Sequence, residues 1–192
     1  MRIAPIEKPK GLFMRYVYRA IRKQIGKVIM PAKVVYARVP RAAMVSRDLH
    51  LMCERGMTIE PEIRFLITTF VAGINKCAFC VDISKAMALR NGLDVDKFKH
   101  LHEYRESSLF TPRERAALAF VEAATRDKNV PDAIFNEVKK HFSDQEIVEI
   151  TLLNAVENYY NLINIPLEIE SDSLCLIPAR GMDGRIVHAP TV

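Results

Sequence analysis

The stretch Glu62–Cys80, EIRFLITTFVAGINKCAFC, decides the fold of this chain. Its first thirteen residues are mostly apolar and follow Pro61, which suits the first position of a helix, so a helix is predicted over Glu60–Ile74. A second helix is predicted over Phe79–Arg90, because Asn91-Gly92 is a typical C-terminal stop signal. The stretch therefore predicts two consecutive helices, with a cysteine pair where the second one begins.

The rest of the chain also shows helical spacing of apolar residues and helix-start signals. Two capping boxes, Thr111-Pro112-Arg113-Glu114 and Ser143-Asp144-Gln145-Glu146, each begin a helix. Strands are indicated only within 173–187, where Leu174–Ile177 and Arg185–Val187 flank a plausible turn. The remaining predicted helices cover 11–30, 40–55, 95–104, 111–126, 131–141 and 143–165. The fold class predicted is all-α, with a short irregular C-terminal tail.

Composition places the chain among globular proteins. Its 192 residues are 49% hydrophobic and 27% charged, which excludes a wholly disordered chain and fits one domain of roughly 100–200 residues. No apolar run approaches the roughly 20 residues of a membrane span, and the first residues lack the apolar segment of a secretory signal. Four cysteines in a chain of this length do not indicate a disulfide framework. We therefore expect a cytoplasmic protein.

Charge is distributed unevenly along the chain. Residues 1–47 hold twelve Lys or Arg and one acidic residue, Glu7, although the whole chain carries a net charge of only +5. A basic arm of this kind can bind nucleic acid, anionic lipid or an acidic partner, or it can pack on the acidic remainder of its own chain or of a neighbouring subunit. We favour packing, because no nucleic-acid-binding motif accompanies the charge.

The pair Cys77 and Cys80 is the motif with an evident chemical mechanism. A helix N-terminus lowers the pKa of a thiol through its free N–H groups and its dipole. The resulting thiolate attacks a peroxide and becomes a sulfenic acid, which a neighbouring thiol converts to a disulfide. A zinc site is less favoured, because four ligands are usual and no second pair is present. Ordinary packing of two small apolar side chains also stays open.

Glu62–Cys80 resembles the core of the carboxymuconolactone decarboxylase and AhpD-like (alkyl hydroperoxidase D-like) superfamily, in which an apolar helix runs into Asn-Gly-Cys-x-x-Cys. Phe110–Leu118 and Phe142–Glu149 are similar to the starts of two later family helices and follow in family order. The resemblance covers about Thr58–Leu167 and implies an AhpD-like helical bundle that forms a homo-oligomer. It divides the chain into a basic helical N-terminal arm packed on the core (1–57), the core (58–167) and the tail (168–192).

The resemblance also implies an activity and the residues that perform it. The hydroperoxidase branch is similar to thiol peroxidases, so Cys80 would be the peroxidatic cysteine and Cys77 the resolving one. The partners implied are a small-molecule peroxide and an external dithiol reductant, and no bound metal or organic cofactor is needed.

The family's proton relay does not carry over. Its His, four residues after the second cysteine, is Ser84 here, and its Glu, twelve residues before the first cysteine, is Phe65. Glu62, Ser84 and Glu157 are the candidates for the missing acid–base group. Because a positioned base contributes typically about 10²–10⁴-fold, peroxidase activity is expected to be slow.

Asparagine recurs along the last long helix, at Asn154, Asn158, Asn161 and Asn164. This polar stripe can bind a ligand or line the thiol pocket, or it can tie neighbouring helices together, and we favour the second interpretation.

Two functional hypotheses follow from the sequence. The first is a thiol-dependent hydroperoxidase that uses the cysteine pair. The second is a catalytically weak family member that acts as a redox sensor or as a scaffold or binding protein. The missing Glu and His favour the second hypothesis, and the retained cysteine pair favours the first.

Overall fold

The computed structural model describes residues 1–93, 96–176, 179–180 and 186–187. Their regular secondary structure is almost entirely helical, which confirms the all-α prediction. The α-helices among them are α1 (Leu12–Ile25), α2 (Pro40–Arg55), α3 (Pro61–Ile74), α4 (Ala78–Arg90), α5 (Asp96–Lys99), α6 (Pro112–Arg126), α7 (Asp132–Lys139) and α8 (Asp144–Asn164). A π-helical segment covers Ala32–Tyr36, and 3₁₀ turns cover Leu101–Glu103 and Leu174–Leu176.

Two short strands accompany the helices in the tail. They are β1 (Ala179–Arg180) and β2 (Ile186–Val187), which pair antiparallel with Ala179 opposite Val187. Strand β2 lies within the second predicted strand, whereas its partner β1 lies in the segment that was predicted to form the turn. The first predicted strand is wrong, since Leu174–Leu176 forms a 3₁₀ turn, and Ile177 and Arg185 lie outside the described residues.

Helix α3 lies at the centre of the bundle and packs against α4, α6 and α8. Its apolar residues point to all sides rather than to one stripe, and Ile67, Val71 and Ala72 are completely buried. A helix that is apolar all round is stable only when other elements cover every face. Its burial fixes the position of the turn that follows it, which carries the cysteine pair.

Both predicted capping boxes are confirmed. The Thr111 Oγ1 atom accepts from the Glu114 N–H at 3.2 Å, and the Glu114 carboxylate accepts from the Thr111 N–H at 2.8 Å. Ser143 and Glu146 make the same reciprocal pair at the start of α8. Each box satisfies two of the N–H groups that a helix start leaves without a helical partner, and so fixes where α6 and α8 begin.

Helix α1 is shorter than predicted. It was expected to continue to Met30, but it ends at Ile25 because Gly26 takes a left-handed conformation with φ 92°. The Gly26 N–H donates to the Arg22 carbonyl oxygen at 2.9 Å, which is a common way for a helix to end at glycine. The helix predicted over 95–104 is α5 followed by a 3₁₀ turn, and Val95 lies outside the described residues.

The basic N-terminal segment contacts α4 and the tail. The Arg90 guanidinium donates to the carbonyl oxygens of Gln24 and Ile25 at 2.7 and 2.8 Å. The Lys27 ammonium pairs with the buried Asp172 carboxylate at 2.8 Å, and the Met30 N–H donates to the same carboxylate at 2.7 Å. These contacts hold one end of the segment against the tail. The division of the chain into arm, core and tail stays a prediction.

None of the described helices is both long enough and apolar enough to span a bilayer.

Replacing Thr111 by Ala is expected to lower the free energy of unfolding by about 1 kcal/mol, because the Glu114 N–H loses its capping acceptor. Urea denaturation followed by circular dichroism measures the change. The matched control is Thr151→Ala, an exposed threonine inside α8 with no capping role, where alanine is the better helix former. Equal destabilisation by the two substitutions would contradict the capping argument.

Candidate active site

The cysteine pair lies where α3 ends and α4 begins. Cys77 is the N-cap residue of α4 and Cys80 lies in its first turn, as the sequence predicted. The two sulfurs form a disulfide, with 5.3 Å between the Cα atoms. Both residues therefore sit at the end of α4 where unpaired N–H groups and the helix dipole stabilise a thiolate once the disulfide is reduced.

The turn before the pair has a specific hydrogen-bonded geometry. The Cys77 N–H donates to the Ala72 carbonyl oxygen at 2.9 Å, and the Lys76 N–H donates to the Gly73 carbonyl oxygen at 3.0 Å. This is a Schellman motif, whose left-handed position is usually glycine. Here it is Lys76, with φ 60°, at the place where the family pattern has glycine. The turn is kept although its residue is less suited to that backbone conformation.

Both cysteines are buried in an apolar cluster. Cys77 is 2% exposed and Cys80 is 3% exposed. The cluster includes Val34 from the π-helical segment, Ala72 from α3, and Ile169 and Leu174 from the tail. The tail therefore covers the pair.

The buried carboxylate of Asp82 fixes the tail on α4. It accepts from the Ser171 hydroxyl at 2.9 Å and from the N–H groups of Leu174 and Cys175 at 2.9 and 3.0 Å. A buried carboxylate requires partners of this kind. Asp82 is thus part of the cover over the cysteines and not a base beside them.

A small surface pocket reaches the pair from one side. Its volume is about 160 Å³, and Cys77 lines it whereas Cys80 does not. Its other lining residues come from the turn before α4 and from the segment after α8: Lys76, Ala78, Ile165, Glu168, Ile169 and Glu170.

On the other side of the pair, Cys80 contacts α8. The Asn164 side-chain N–H donates to the Cys80 Sγ atom at 3.4 Å, and Asn164 is 3% exposed. A donor on a sulfur favours its thiolate form over its thiol form. The sequence identified the asparagine stripe, but only the structure shows that Asn164 is the member that meets the sulfur.

The other asparagines tie helices together, which confirms the favoured interpretation for them. The Asn75 amide donates to the side-chain oxygens of Asn158 and Asn161 at 2.9 and 2.8 Å. The Thr125 hydroxyl donates to the Asn154 side-chain oxygen at 2.7 Å. These bonds join α8 to α6 and to the turn before the cysteine pair.

Glu157 is buried within this amide network. Its carboxylate accepts from the Asn161 amide at 2.6 Å. Burial raises the pKa of the Glu157 carboxyl to about 7, and the Asn161 hydrogen bond only partly offsets that effect. Glu157 precedes Asn164 by seven residues, which is about 10 Å along the helix axis. Among the described residues, the Glu157 carboxylate makes its hydrogen bond to Asn161 and none to either cysteine.

Glu62 and Ser84 are both occupied by other partners. The Glu62 carboxylate pairs with the Lys97 ammonium at 2.8 Å, and Lys97 also pairs with Glu114. Ser84 lies one helical turn after Cys80, but its hydroxyl is bonded to the hydroxyls of Thr68 and Thr69 at 2.7 and 2.9 Å. Neither side chain donates to or accepts from the cysteine pair in this geometry.

Phe65 and Arg64 both have structural roles. Phe65 packs against the main apolar core, so the position of the family carboxylate is filled by a ring. The Arg64 guanidinium donates to the carbonyl oxygens of Cys53 and Glu54 at 2.6 and 2.7 Å. It therefore closes the C-terminal end of α2, where carbonyl groups lack helical partners.

The two remaining cysteines are poor nucleophiles at neutral pH. Burial raises the pKa of the Cys53 thiol to about 11. Burial and the neighbouring Asp82 carboxylate raise the pKa of the Cys175 thiol to about 12. Thiolate chemistry at pH 7 is therefore disfavoured at Cys53 and Cys175. Within the part of the chain that the structure describes, no cluster of three or more His, Cys, Asp or Glu side chains is arranged to hold a metal ion.

Comparison with known proteins agrees with this architecture. The carboxymuconolactone decarboxylase family model matches residues 52–123. The uncharacterized Escherichia coli protein YnjA is 29% identical over 161 residues, which are 83% of this chain and 88% of YnjA. A crystal structure is known for an Agrobacterium tumefaciens protein of unknown function with a suggested assignment as the antioxidant defence protein AhpD. The sequence of that protein is 31% identical to this chain. That structure gives a TM-score of 0.67 and covers 72% of this chain and 96% of its own.

A second solved structure shows the breadth of the fold. The debrominase Bmp8, in complex with 2,3,4-tribromopyrrole, gives a TM-score of 0.78 at 18% identity and covers 91% of this chain and 93% of its own. At that identity the likeness concerns the fold alone. Together with the family match and the cysteine motif, these likenesses identify the class: the chain belongs to the carboxymuconolactone decarboxylase and AhpD-like superfamily.

The raised pKa of Glu157 predicts how stability depends on pH. Between the unfolded-state pKa of about 4.3 and pH 7, the folded protein keeps a proton that the unfolded chain releases, so the free energy of unfolding falls as pH rises. Above pH 7 both states are ionised and this contribution levels off. Glu157→Gln cannot titrate, so it should gain a few kcal/mol relative to the parent protein between pH 5 and pH 8.

Urea denaturation at several pH values measures this difference. Glu106→Gln is the matched control, because Glu106 is exposed and the substitution likewise removes one carboxyl group. Parallel pH profiles for the parent protein and Glu157→Gln would contradict the buried-carboxyl argument.

Proposed function

We propose that this protein is a thiol oxidoreductase that reduces peroxides with Cys80 as the nucleophile and Cys77 as the resolving cysteine. The observation that carries the proposal is the cysteine pair in the first turn of α4, with the Cys80 sulfur against the Asn164 amide. Helix dipole and amide donor both favour a thiolate at Cys80. The family membership of the chain supports the same chemistry.

The proposed cycle begins with both cysteines reduced. The Cys80 thiolate attacks one peroxide oxygen, the O–O bond breaks, and the alcohol leaves after taking a proton from water. Cys80 is then a sulfenic acid, and the Cys77 sulfur attacks it to form the disulfide, with loss of water. An external dithiol donates two electrons and two protons to restore both thiols and is itself oxidised to a disulfide.

The surroundings of the pair support a slow first step. Phe65 fills the position of the family carboxylate, and Ser84 is bonded to two threonine hydroxyls. The leaving alkoxide therefore depends on water for its proton, and the positioned acid–base contribution of about 10²–10⁴-fold is missing. Two buried sulfurs beneath the tail also limit the size of peroxide that reacts.

The same observations favour redox sensing as a second candidate function. A pair that oxidises readily but lacks a relay can change state once without rapid turnover. Ile169 and Leu174 of the tail belong to the same apolar cluster as the pair, so a change in the oxidation state of the cysteines would alter the packing of these two side chains. In that case the disulfide would form on exposure to peroxide, but multiple turnovers would not follow.

The proposal includes a homo-oligomer in the cytoplasm. Family membership supports the assembly, and so do apolar side chains exposed on α8, where Val148 is 57% exposed and Leu162 is 73% exposed. Apolar surface of this kind is commonly covered in an assembly.

Peroxide consumption in the presence of dithiothreitol tests the function. Hydrogen peroxide and cumene hydroperoxide are the two substrates, and 2,3,4-tribromopyrrole is a third electrophile that tests the chemistry named for Bmp8. Cys80→Ser is expected to lower the peroxide rate at least about a hundredfold, because the nucleophile is lost. In a parallel reaction without dithiothreitol, Cys77→Ser should allow one turnover and leave Cys80 as a sulfenic acid, which dimedone labelling detects.

Cys53→Ser is the matched control, since its thiol has a high pKa and lies outside the pair. Full activity in Cys80→Ser would overturn the mechanism. Disulfide formation without turnover in the parent protein would favour the sensor.

A further inference from the structure

The two sulfurs of the disulfide have different surroundings. Their exposure is nearly equal, at 2% for Cys77 and 3% for Cys80, so exposure does not distinguish them. The pocket does, because Cys77 lines it and Cys80 does not. A small thiol that enters from the surface therefore meets Cys77 first.

The backbone on both sides of the pocket is held in an uncommon conformation. Lys76 has φ 60° and Glu168 has φ 51°, and both line the pocket although neither is glycine. Each of these is the left-handed residue that ends a helix, Lys76 after α3 and Glu168 after α8, so both walls of the pocket are fixed by hydrogen-bonded helix ends. The Asp82 bonds to the tail hold the Glu168 side of the pocket in place.

On the opposite side of the disulfide, a hydrogen-bond donor can stabilise a departing thiolate. The Asn164 amide reaches the Cys80 Sγ atom at 3.4 Å, and Asn164 is itself 3% exposed. A thiolate leaves faster when its pKa is lower, and a hydrogen-bond donor lowers that pKa. Cys80 is therefore the better leaving sulfur of the two.

We propose that the dithiol reductant attacks Cys77 through this pocket, and that Asn164 is a catalytic residue that stabilises the departing Cys80 thiolate. The inference rests on the proposed function for the oxidised pair but specifies the half-reaction that the proposal leaves open. It assigns opposite roles to the two sulfurs: Cys80 meets the peroxide, and Cys77 meets the reductant.

The exchange step balances without a further reactant. The reductant's thiolate forms a bond to the Cys77 sulfur, the Cys77–Cys80 bond breaks, and Cys80 leaves with the electron pair as a thiolate that accepts from Asn164. The second thiol of the reductant loses its proton to water. The resulting thiolate attacks the reductant's first sulfur, which is bonded to Cys77 in the mixed disulfide. Cys77 is released as a thiolate, the reductant becomes a disulfide, and both protein sulfurs are reduced.

Trapping the mixed disulfide tests which sulfur is attacked. The oxidised full-length protein is mixed with 2-mercaptoethanol, quenched in acid within milliseconds and alkylated at low pH with N-ethylmaleimide. Both cysteines lie in one tryptic peptide, 77–85, so fragment masses assign each modification. The expected product carries mercaptoethanol on Cys77 and the alkyl group on Cys80. Mercaptoethanol mainly on Cys80, or equally on both, would overturn the inference.

The role of Asn164 has a separate readout, the pH dependence of Cys80 alkylation in a Cys77→Ser background. Asn164→Ala is expected to raise the apparent pKa of Cys80 by about one unit or more, because the donor is lost. Asn154→Ala is the matched control, a buried asparagine on the same helix that bonds Thr125 instead of a sulfur. Asn164→Leu, which keeps the side-chain volume but has neither a donor nor a charge, should shift the pKa in the same direction if the alanine variant does not fold.

An unchanged Cys80 titration in both Asn164 variants would overturn the second part of the inference. The outcomes stay separable from those of the peroxide assay. A protein that consumes peroxide but traps mercaptoethanol on Cys80 keeps the proposed function and loses the inference. A protein that traps on Cys77 but consumes no peroxide keeps the inference as thiol–disulfide exchange and loses the peroxidase.

Discussion

The turn Asn75–Lys76–Cys77 is the constraint on which the site depends. Two hydrogen bonds, from the N–H groups of Cys77 and Lys76 to α3 carbonyl oxygens, end α3 and direct the chain into α4. The buried α3 fixes one side of this turn, and the Asn75 amide fixes the other by donating to Asn158 and Asn161 on α8. Because the turn is held from both sides, Cys77 becomes the N-cap of α4 and Cys80 faces α8. The left-handed Lys76 shows that this geometry persists even without the glycine that usually occupies such a position.

The polar groups on the α8 side of the cysteines are mainly neutral amides. Asn164 contacts Cys80, and Asn161 links the buried Glu157 to Asn75. An amide can donate to a thiolate and stabilise it, but it has no proton that it readily gives to a leaving group. The site is therefore better suited to holding and releasing a thiolate than to rapid proton transfer. This agrees with the loss of the family's Glu and His, whose positions are taken by Phe65 and by a serine bonded to threonines.

Two buried acids organise the surroundings of the pair. Asp82 binds Ser171, Leu174 and Cys175, so that the tail lies over the cysteines. Asp172, in that same tail, binds the Lys27 ammonium and the Met30 N–H, so that the basic segment is joined to the cover. At least one positive charge of the basic segment, that of Lys27, is thus paired with an acidic residue of the same chain. Hydrogen bonds and an ion pair therefore join the basic N-terminal segment to the tail, and the tail to α4 beside the pocket at Cys77.

The sequence by itself determined the helices and the position of the cysteine pair. The signals are local: apolar runs, capping boxes at Thr111 and Ser143, and the stop at Asn91-Gly92. The capping and stop signals act through hydrogen bonds between residues that are close in the sequence. It could not determine that α1 ends at Gly26, since an isolated glycine is also tolerated inside helices. Only the tertiary structure decided that Asn164, eighty-four residues from Cys80, is the amide at the sulfur, and that Glu62 and Ser84 have other partners. Such contacts depend on how α3, α4 and α8 pack, and side chains far apart in the sequence meet only after that packing is complete.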